Sequence, residues 1–406
     1  MSDWRIFRGD RTEPHNEIRD SKRFPPPPKW RQFGDFSQAK TAIIAKDERY
    51  WHALQKQAKD NMRNWERGKK FFIRSGYAQI ADQTSDERLK EYARVIDTVN
   101  AALYLRRPLL VTGQPGSGKT SLAYAIAYQL KLGPVLVWPI TARTVLQDGL
   151  YQYDAIARLR DVQLEGNNQT QEPEAESQTP DKTPIAPTAP VAEATKPPSQ
   201  RILSQDIGNY IRLGPIGTAF VVSRYPRVLL LDEIDKSDIN LPNDLLNLFE
   251  EGSFIVPELK RLAKQRKKKT QTVTTDDDLE VEIIEGRVQC RAFPLVVMTS
   301  NGERDFPPAF LRRCLRVKMP DPDKGDLQEI VKTHLEDEQI YQQSEALIDK
   351  YIDRFIDRRE ATDEGTIATD QLLNTIYLLT HNVGEKGVDE LEDVLLKPLT
   401  SQEDNP

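Results

Sequence analysis

The residues Gly113-Gln114-Pro115-Gly116-Ser117-Gly118-Lys119-Thr120 have the spacing G-x-x-x-x-G-K-[ST]. Glycines let the backbone curl until successive N–H groups converge, and the start of a following helix adds partial positive charge. The result is a cradle for phosphate oxygens. Lys119 is placed to reach the β- and γ-phosphates of a nucleoside triphosphate, and the Thr120 hydroxyl to ligate Mg²⁺. An apolar run, Pro108-Leu109-Leu110-Val111, precedes the loop, and Leu122-Ala123-Tyr124-Ala125-Ile126-Ala127 follows it with a helical pattern. Strand, glycine-rich turn and helix is the context such a cradle needs.

A second group of residues carries hydrolytic chemistry. Val228-Leu229-Leu230-Leu231-Asp232-Glu233 is an apolar strand ending in two carboxylates. At the C-terminal end of a parallel strand, both acids stand beside the phosphate loop. Asp232 suits Mg²⁺, which keeps several waters and takes few carboxylates. Glu233 suits a group that orients or deprotonates an attacking water. Asp235 reads as an exposed carboxylate at a helix start. The run Leu295-Val296-Val297-Met298 ends in Thr299-Ser300-Asn301, where Asn301 can bond the water or the γ-phosphate, although Asn also serves as a turn residue. In Pro307–Cys314, a short helix ends in Arg312 and Arg313. Such a pair is solvated at a helix end, or it stabilises charge on a transferred phosphoryl group in a neighbouring copy.

The elements that must position these residues follow from apolar patterning. Five runs have the length and flanks of buried strands: Pro108–Val111, Pro134–Ile140, Arg227–Leu231, Phe293–Thr299 and Leu315–Met319. Helical patterns lie between them, so a parallel sheet covered by helices is expected. Residues 47–70 and 86–105 read as helices, the latter with Val95, Ile96, Val99, Ala102 and Leu103 at helical spacing. From 324 onward the chain reads as helical, with segments 326–338, 344–359 and 369–380. Residues 166–200 hold seven prolines and almost no large apolar residue, the composition of a disordered insert. Residues 258–288 read as a second insert, a β-hairpin carrying a basic element. Its run 260–269 has seven cations in ten residues. Phe24-Pro25-Pro26-Pro27-Pro28 predicts a stiff polyproline arm lying on the domain. Three regions result: an N-terminal extension over 1–84, a nucleotide-binding core over 85–320, and a helical domain over 321–400.

Bulk properties narrow the class. The chain has 406 residues, a formal net charge of −6, two cysteines and four histidines. The acidic balance gives no case for nucleic acid or membrane binding, and the basic run is the single feature favouring a nucleic-acid motor. Cys290 and Cys314 lack metal-ligand spacing and suit a reducing compartment as small buried apolar residues. No apolar signal core opens the chain, and no run approaches about eighteen apolar residues. A cytoplasmic protein is expected.

Taken together, these strings resemble an AAA+ ATPase, most closely its MoxR-like branch, over roughly residues 90–390. The resemblance rests on Gly113–Thr120, Leu229–Asp235, Asp244–Gly252 (Asp-Leu-Leu-Asn-Leu-Phe-Glu-Glu-Gly), Thr299–Asn301 and Ala309–Cys314. Ala142–Tyr153 resembles the segment after the second strand in that branch. The resemblance implies a five-stranded parallel αβα P-loop sandwich followed by a helical lid. It makes Gly113–Thr120 the Walker A loop for ATP, with Asp232 and Glu233 as the Walker B acids and Thr120 and Asp232 holding Mg²⁺. It also makes Asn301 sensor 1 and Arg313, with Arg312 second, the arginine finger. Relatives form hexameric rings with ATP at subunit boundaries, and many act with proteins carrying a von Willebrand factor A domain. In one respect the chain departs from the pattern. Where a sensor 2 arginine is expected, the sequence has Ile367 and Ala368, with Arg358 and Arg359 as possible substitutes. Val99–Leu103 falls where relatives pack near adenine. Two activities are expected from these features: an ATP-driven machine that remodels a partner protein, or a low-turnover ATP-dependent switch that recruits one.

Overall fold

A computed structural model describes residues 4–33, 40–73, 87–169, 207–266, 269–335, 338–361, 367–381 and 384–397. The chain forms two compact units. Met1–Leu146, Ala219–Ser253 and Gln289–Pro406 make the first, and Gln147–Thr218 with Phe254–Val288 make the second.

In chain order the elements begin with α1 (Lys40–Asp60), α2 (Met62–Lys70), α3 (Glu87–Leu105), β1 (Leu109–Thr112), α4 (Lys119–Gln129) and β2 (Leu136–Pro139). There follow α5 (Leu146–Leu150), β3 (Tyr151–Tyr153), α6 (Ala155–Gln169), β4 (Ile211–Leu213) and α7 (Pro215–Ala219). Next come β5 (Val228–Asp232), α8 (Leu241–Glu251), β6 (Ser253–Ile255), α9 (Pro257–Arg266), β7 (Thr270–Thr274), β8 (Glu280–Ile284) and β9 (Arg287–Gln289). The chain closes with β10 (Leu295–Ser300), α10 (Pro308–Leu311), β11 (Leu315–Lys318), α11 (Lys324–Leu335), α12 (Glu338–Ala361), α13 (Thr369–Thr380) and α14 (Gly384–Leu395).

The first unit is built on a five-stranded sheet of order β11-β1-β10-β5-β2, and every pairing in it is parallel. All five strands expected from apolar runs are in this sheet. Their inner residues, including Val111, Leu230 and Val297, are fully buried because helices cover both faces. Parallel pairing carries the loops after β1, β5 and β10 to one edge of the sheet.

α4 is buried along nearly its whole length, from Leu122 to Gln129, as a helix whose sequence has no polar face must be. The sheet covers one side. On the other lies α2, where Gly68 lets the backbones meet: a Cβ there would stand 2.6 Å from Tyr124 O.

The N-terminal residues are stitched into this unit by polar side chains. Asn100, fully buried on α3, accepts from Ile6 N (2.8 Å) and Phe7 N (3.0 Å) and donates to Phe7 O (2.8 Å) and Ile96 O (2.9 Å). Val99–Leu103 therefore serves as core and as anchor for this segment, with Val99, Ala102 and Leu103 in the apolar cluster. The proline arm lies on the domain: the Arg106 guanidinium sits 3.9 Å above Phe24 and donates to Pro25 O (2.9 Å). Burial pushes the Arg106 guanidinium down to about 10.

The C-terminal helices α11–α14 have apolar clusters of their own, one including Leu327, Ile352, Ile367 and Ile376, another Tyr351, Leu379 and Val388. α14 follows the three helices expected from the sequence.

The second unit carries a six-stranded sheet, β3-β4-β7-β8-β9-β6. The expected hairpin is present as β7 and β8, paired antiparallel from Thr270↔Ile284 to Thr274↔Glu280. The basic run begins ahead of the hairpin, and its residues 267 and 268 lie outside the described residues. Lys260 to Arg266 belong to α9, with Leu259 and Leu262 buried and Lys260, Arg261 and Lys264 exposed. Spacing of three between buried leucines is helical, so Lys260, Arg261 and Lys264 line a helix face, while Lys269 stands at the base of the hairpin and pairs with Glu285 (2.8 Å). α6 extends to Gln169, so the first residues of the expected disordered insert are helical, and the rest, 170–200, lies outside the described residues. Among the described residues no helix is long and apolar enough to cross a membrane.

Candidate functional site

Gly113–Thr120 joins β1 to α4, and three of its glycines adopt positive φ: Gly113 (+150°), Gly116 (+77°) and Gly118 (+86°). A Cβ on Gly116 would stand 2.5 Å from Thr369 N, so only glycine admits the start of α13 at the loop. Within the loop the Ser117 hydroxyl is buried and makes no hydrogen bond in the protein. Lys119 is buried and folded over the loop, donating to Gly113 O (2.7 Å) and Gln114 O (2.8 Å). Burial pushes its ammonium below the usual lysine value. Four carboxylates, Asp235, Asp232, Glu233 and Asp321, oppose that shift.

β10 separates β1 from β5 in the sheet and ties the two ends together. The Thr120 hydroxyl donates to Asp232 Oδ1 (2.9 Å), and the Thr299 hydroxyl donates to the same oxygen (2.7 Å). Thr299 Oγ1 in turn accepts from Glu233 N (2.8 Å). Glu233 has φ +59°, a left-handed conformation that costs a non-glycine residue about 1–2 kcal/mol. The Thr299 bond holds that turn, and such strain is concentrated at functional positions. The Glu233 carboxylate meets Lys236 Nζ at 2.8 Å, with both side chains more than two-fifths exposed. An ion pair this wet is worth at most about 1 kcal/mol and leaves Glu233 free to move.

Asn301 stands just past the end of β10. Its backbone N–H donates to Asp235 Oδ2 (2.8 Å), and its side-chain amide reaches Glu303 Oε1 at 3.4 Å. Asp235 is not the exposed carboxylate expected from its position. It is 3% exposed, because the 3-10 turn Ile234–Lys236 folds it under the end of β10. Arg312 and Arg313 follow α10. Arg313 pairs with Glu250 on α8 and donates to Ala309 O (3.2 Å), and Arg107 bonds the carbonyls of Arg312 and Arg313.

Gly113, Gly116, Lys119, Thr120, Asp232, Glu233 and Asn301 are thus gathered at one sheet edge; the arginines sit on a separate helix end. Gln114 and Pro115 complete the loop between Gly113 and Gly116. Where an arginine is absent, Ile367 packs into the C-terminal core, Ala368 caps α13 without a side-chain bond, and Thr369 meets Gly116. Arg358 pairs with Asp393, and Arg359 donates to Pro322 O (3.0 Å). Cys290 and Cys314 are buried free thiols pushed up to about 12 by burial, which makes them inert packing groups.

The donor set suits a Mg²⁺–triphosphate. The loop has backbone N–H groups and an orphaned buried hydroxyl for phosphate oxygens. Lys119 contributes a cation, and the Thr120–Asp232 pair offers Mg²⁺ one hydroxyl and one carboxylate. Thr299 stands in the quoted string Thr299-Ser300-Asn301, but its sequence position alone assigns it no role; its two bonds at the end of β5 do. Thr369 had no sequence signal. Compared with known proteins, the chain matches no family model and no curated sequence at a significant level.

Proposed function

We propose that this chain binds Mg²⁺–ATP and hydrolyses it, as an AAA+ ATPase of MoxR type. The observation that carries this reading is the hydrogen bond of Thr120 to Asp232 across β10, with Glu233 next in sequence and held by Thr299. Lys119 would turn its donors from Gly113 O and Gln114 O to the phosphates. Thr120 and Asp232 would hold the metal, which supplies charge neutralisation on the phosphate oxygens. Glu233 would orient or deprotonate the attacking water, and Asn301 would bond the water or the γ-phosphate. The five-stranded parallel sheet and the C-terminal helices support the AAA+ sandwich with its lid.

The assembly reading comes from the resemblance alone: a hexameric ring in which Arg313, seconded by Arg312, completes the site of a neighbouring copy. On the same basis the ring remodels or activates a partner protein, with a von Willebrand factor A-domain protein the favoured class. One feature favours a slow switch instead, namely the absence of a sensor 2 arginine, since Ile367 and Ala368 stand where the resemblance expects one.

Steady-state ATPase activity of the wild type and Glu233→Gln, with mass in solution with and without ATP, tests these readings. The expected result is Mg²⁺-dependent turnover that falls about 100-fold or more in Glu233→Gln while ATP binding persists. Equal inactivity of both proteins in the assembled state would leave only the switch. A strict monomer with and without ATP would remove the shared-site role of Arg313.

A further inference from the structure

Asp235 has a burden that its position in sequence does not announce. It is almost fully buried, and its Oδ2 accepts two backbone N–H groups, from Asn301 (2.8 Å) and Glu303 (3.2 Å). Its Oδ1 is buried and makes no hydrogen bond within the protein. Burying a carboxylate is costly, and two backbone donors on one oxygen compensate only part of that cost. Stability alone gives a weak reason for an acid here, since an apolar residue would fill the space without a buried charge.

Geometry supplies another reason. The ladder between β5 and β10 ends at Leu231↔Met298, and β10 itself ends at Ser300. Asn301 therefore stands where the sheet no longer fixes the chain. Thr299 ties β10 to Asp232 and Glu233 at the last turn of the ladder. Two residues on, Asp235 takes over, holding the backbone of Asn301 and Glu303 against the turn that follows β5. The Asn301 amide itself makes only a 3.4 Å bond to Glu303. Its direction is set by the backbone that Asp235 holds. Charge on Asp235 also opposes the downward shift that burial imposes on Lys119.

We infer that Asp235 is a positioning residue for ATP hydrolysis: it clamps the backbone of Asn301 and Glu303 to the end of β5 and so aims the Asn301 amide at the γ-phosphate and the attacking water. The inference rests on the hydrolytic reading above. It assigns Asp235 no contact with the nucleotide, so its loss acts on kcat and not on ATP affinity.

The test is a double-mutant cycle between Asp235 and Asn301, measuring kcat and the Kd for Mg²⁺–ATP on the full chain. Asp235→Ala is expected to lower kcat by up to about 100-fold, the cost of misplacing a group by roughly an ångström, with Kd within about threefold. Asp235→Asn keeps an oxygen that can accept both N–H groups and should recover most of that loss. Adding Asn301→Ala to Asp235→Ala should cost little more, because one side chain acts through the other. Additive losses, a Kd that weakens in step with kcat, or an Asp235→Asn protein as inactive as Asp235→Ala would overturn the assignment. A wild type that binds ATP tightly without turnover would remove the hydrolytic reading and this role with it. An active wild type with additive variants would remove only the role of Asp235.

Discussion

Thr120 and Asp232 lie 112 positions apart and share a 2.9 Å hydrogen bond across an intervening strand. A hydroxyl and a carboxylate in contact are a ready pair for Mg²⁺, and neither is needed to hold the phosphates themselves. Thr120→Ala is therefore expected to weaken ATP binding about tenfold in the presence of Mg²⁺ and to change it little in EDTA. Titration with a fluorescent ATP analogue under both conditions checks this. Equal weakening in both would place Thr120 on phosphate and not on metal.

Gly116 and Thr369 come from distant segments and leave no room for a side chain between them. A Cβ at Gly116 would meet Thr369 N at 2.5 Å, and φ is +77° there. Gly116→Ala should destabilise the first unit by about 1–3 kcal/mol and displace the start of α13. Denaturant midpoints measure the first effect, and hydrogen exchange over 369–372 measures the second. An unchanged midpoint would mean that α13 yields without cost.

The ion pair of Arg313 with Glu250 is exposed on both sides, 38% and 48%, so it adds little to stability. Arg313→Ala should therefore leave the unfolding midpoint within about 0.5 kcal/mol while abolishing most turnover. Mixing Arg313→Ala with Lys119→Ala, each inactive alone, should restore activity at boundaries where an intact loop faces an intact arginine. No recovery on mixing would place Arg313 outside the shared site.

Asn100 holds the N-terminal segment with three bonds to Ile6 and Phe7. Removing them leaves buried backbone groups unpaired at about 1–3 kcal/mol each. Asn100→Ala should release this segment before the sheet unfolds, seen as fast hydrogen exchange at Ile6 and Phe7 and early proteolysis near Gly9. Protection equal to the wild type would show that apolar packing of Ile6 and Phe7 suffices.

Acid should detach the same segment. Burial holds His15 below the usual histidine value, so the unfolded chain takes up a proton first and stability falls as pH drops through about 6.5. Burial alone would raise the Glu17 carboxyl, but hydrogen bonds from Arg8 and Arg23 outweigh it and hold it below its ordinary value. That stabilisation is present above about 4.5 and is lost as pH falls further. N-terminal protection followed from pH 7.5 to 4 should decline in two steps, and His15→Gln should remove the upper one.

Local patterns made much of this molecule legible. The glycine loop, the acids that end β5 and the five apolar strands each occupy a few consecutive residues, and each type has one physical use at that spacing. The helical state of Lys260, Arg261 and Lys264 was not legible from their charge, because a charge run names no element, whereas Leu259 and Leu262 three positions apart mark a helix face. Six strands of the second unit's sheet come from segments on both sides of a long insert, and three-residue strands such as Tyr151–Tyr153 carry too few residues for an alternating signal.

The sequence by itself determined the residue types and their order: a glycine loop ending in Lys119 and Thr120, and an apolar strand ending in Asp232 and Glu233. Only the tertiary structure decided that Thr299 locks Glu233, that Asp235 is buried beneath Asn301, and that Thr369 at the start of α13 meets Gly116 of the loop. The physical reason is reach. Motifs are written in residues a few positions apart, whereas these contacts join segments dozens to hundreds of positions apart, which meet only after parallel pairing brings the strand ends to one edge.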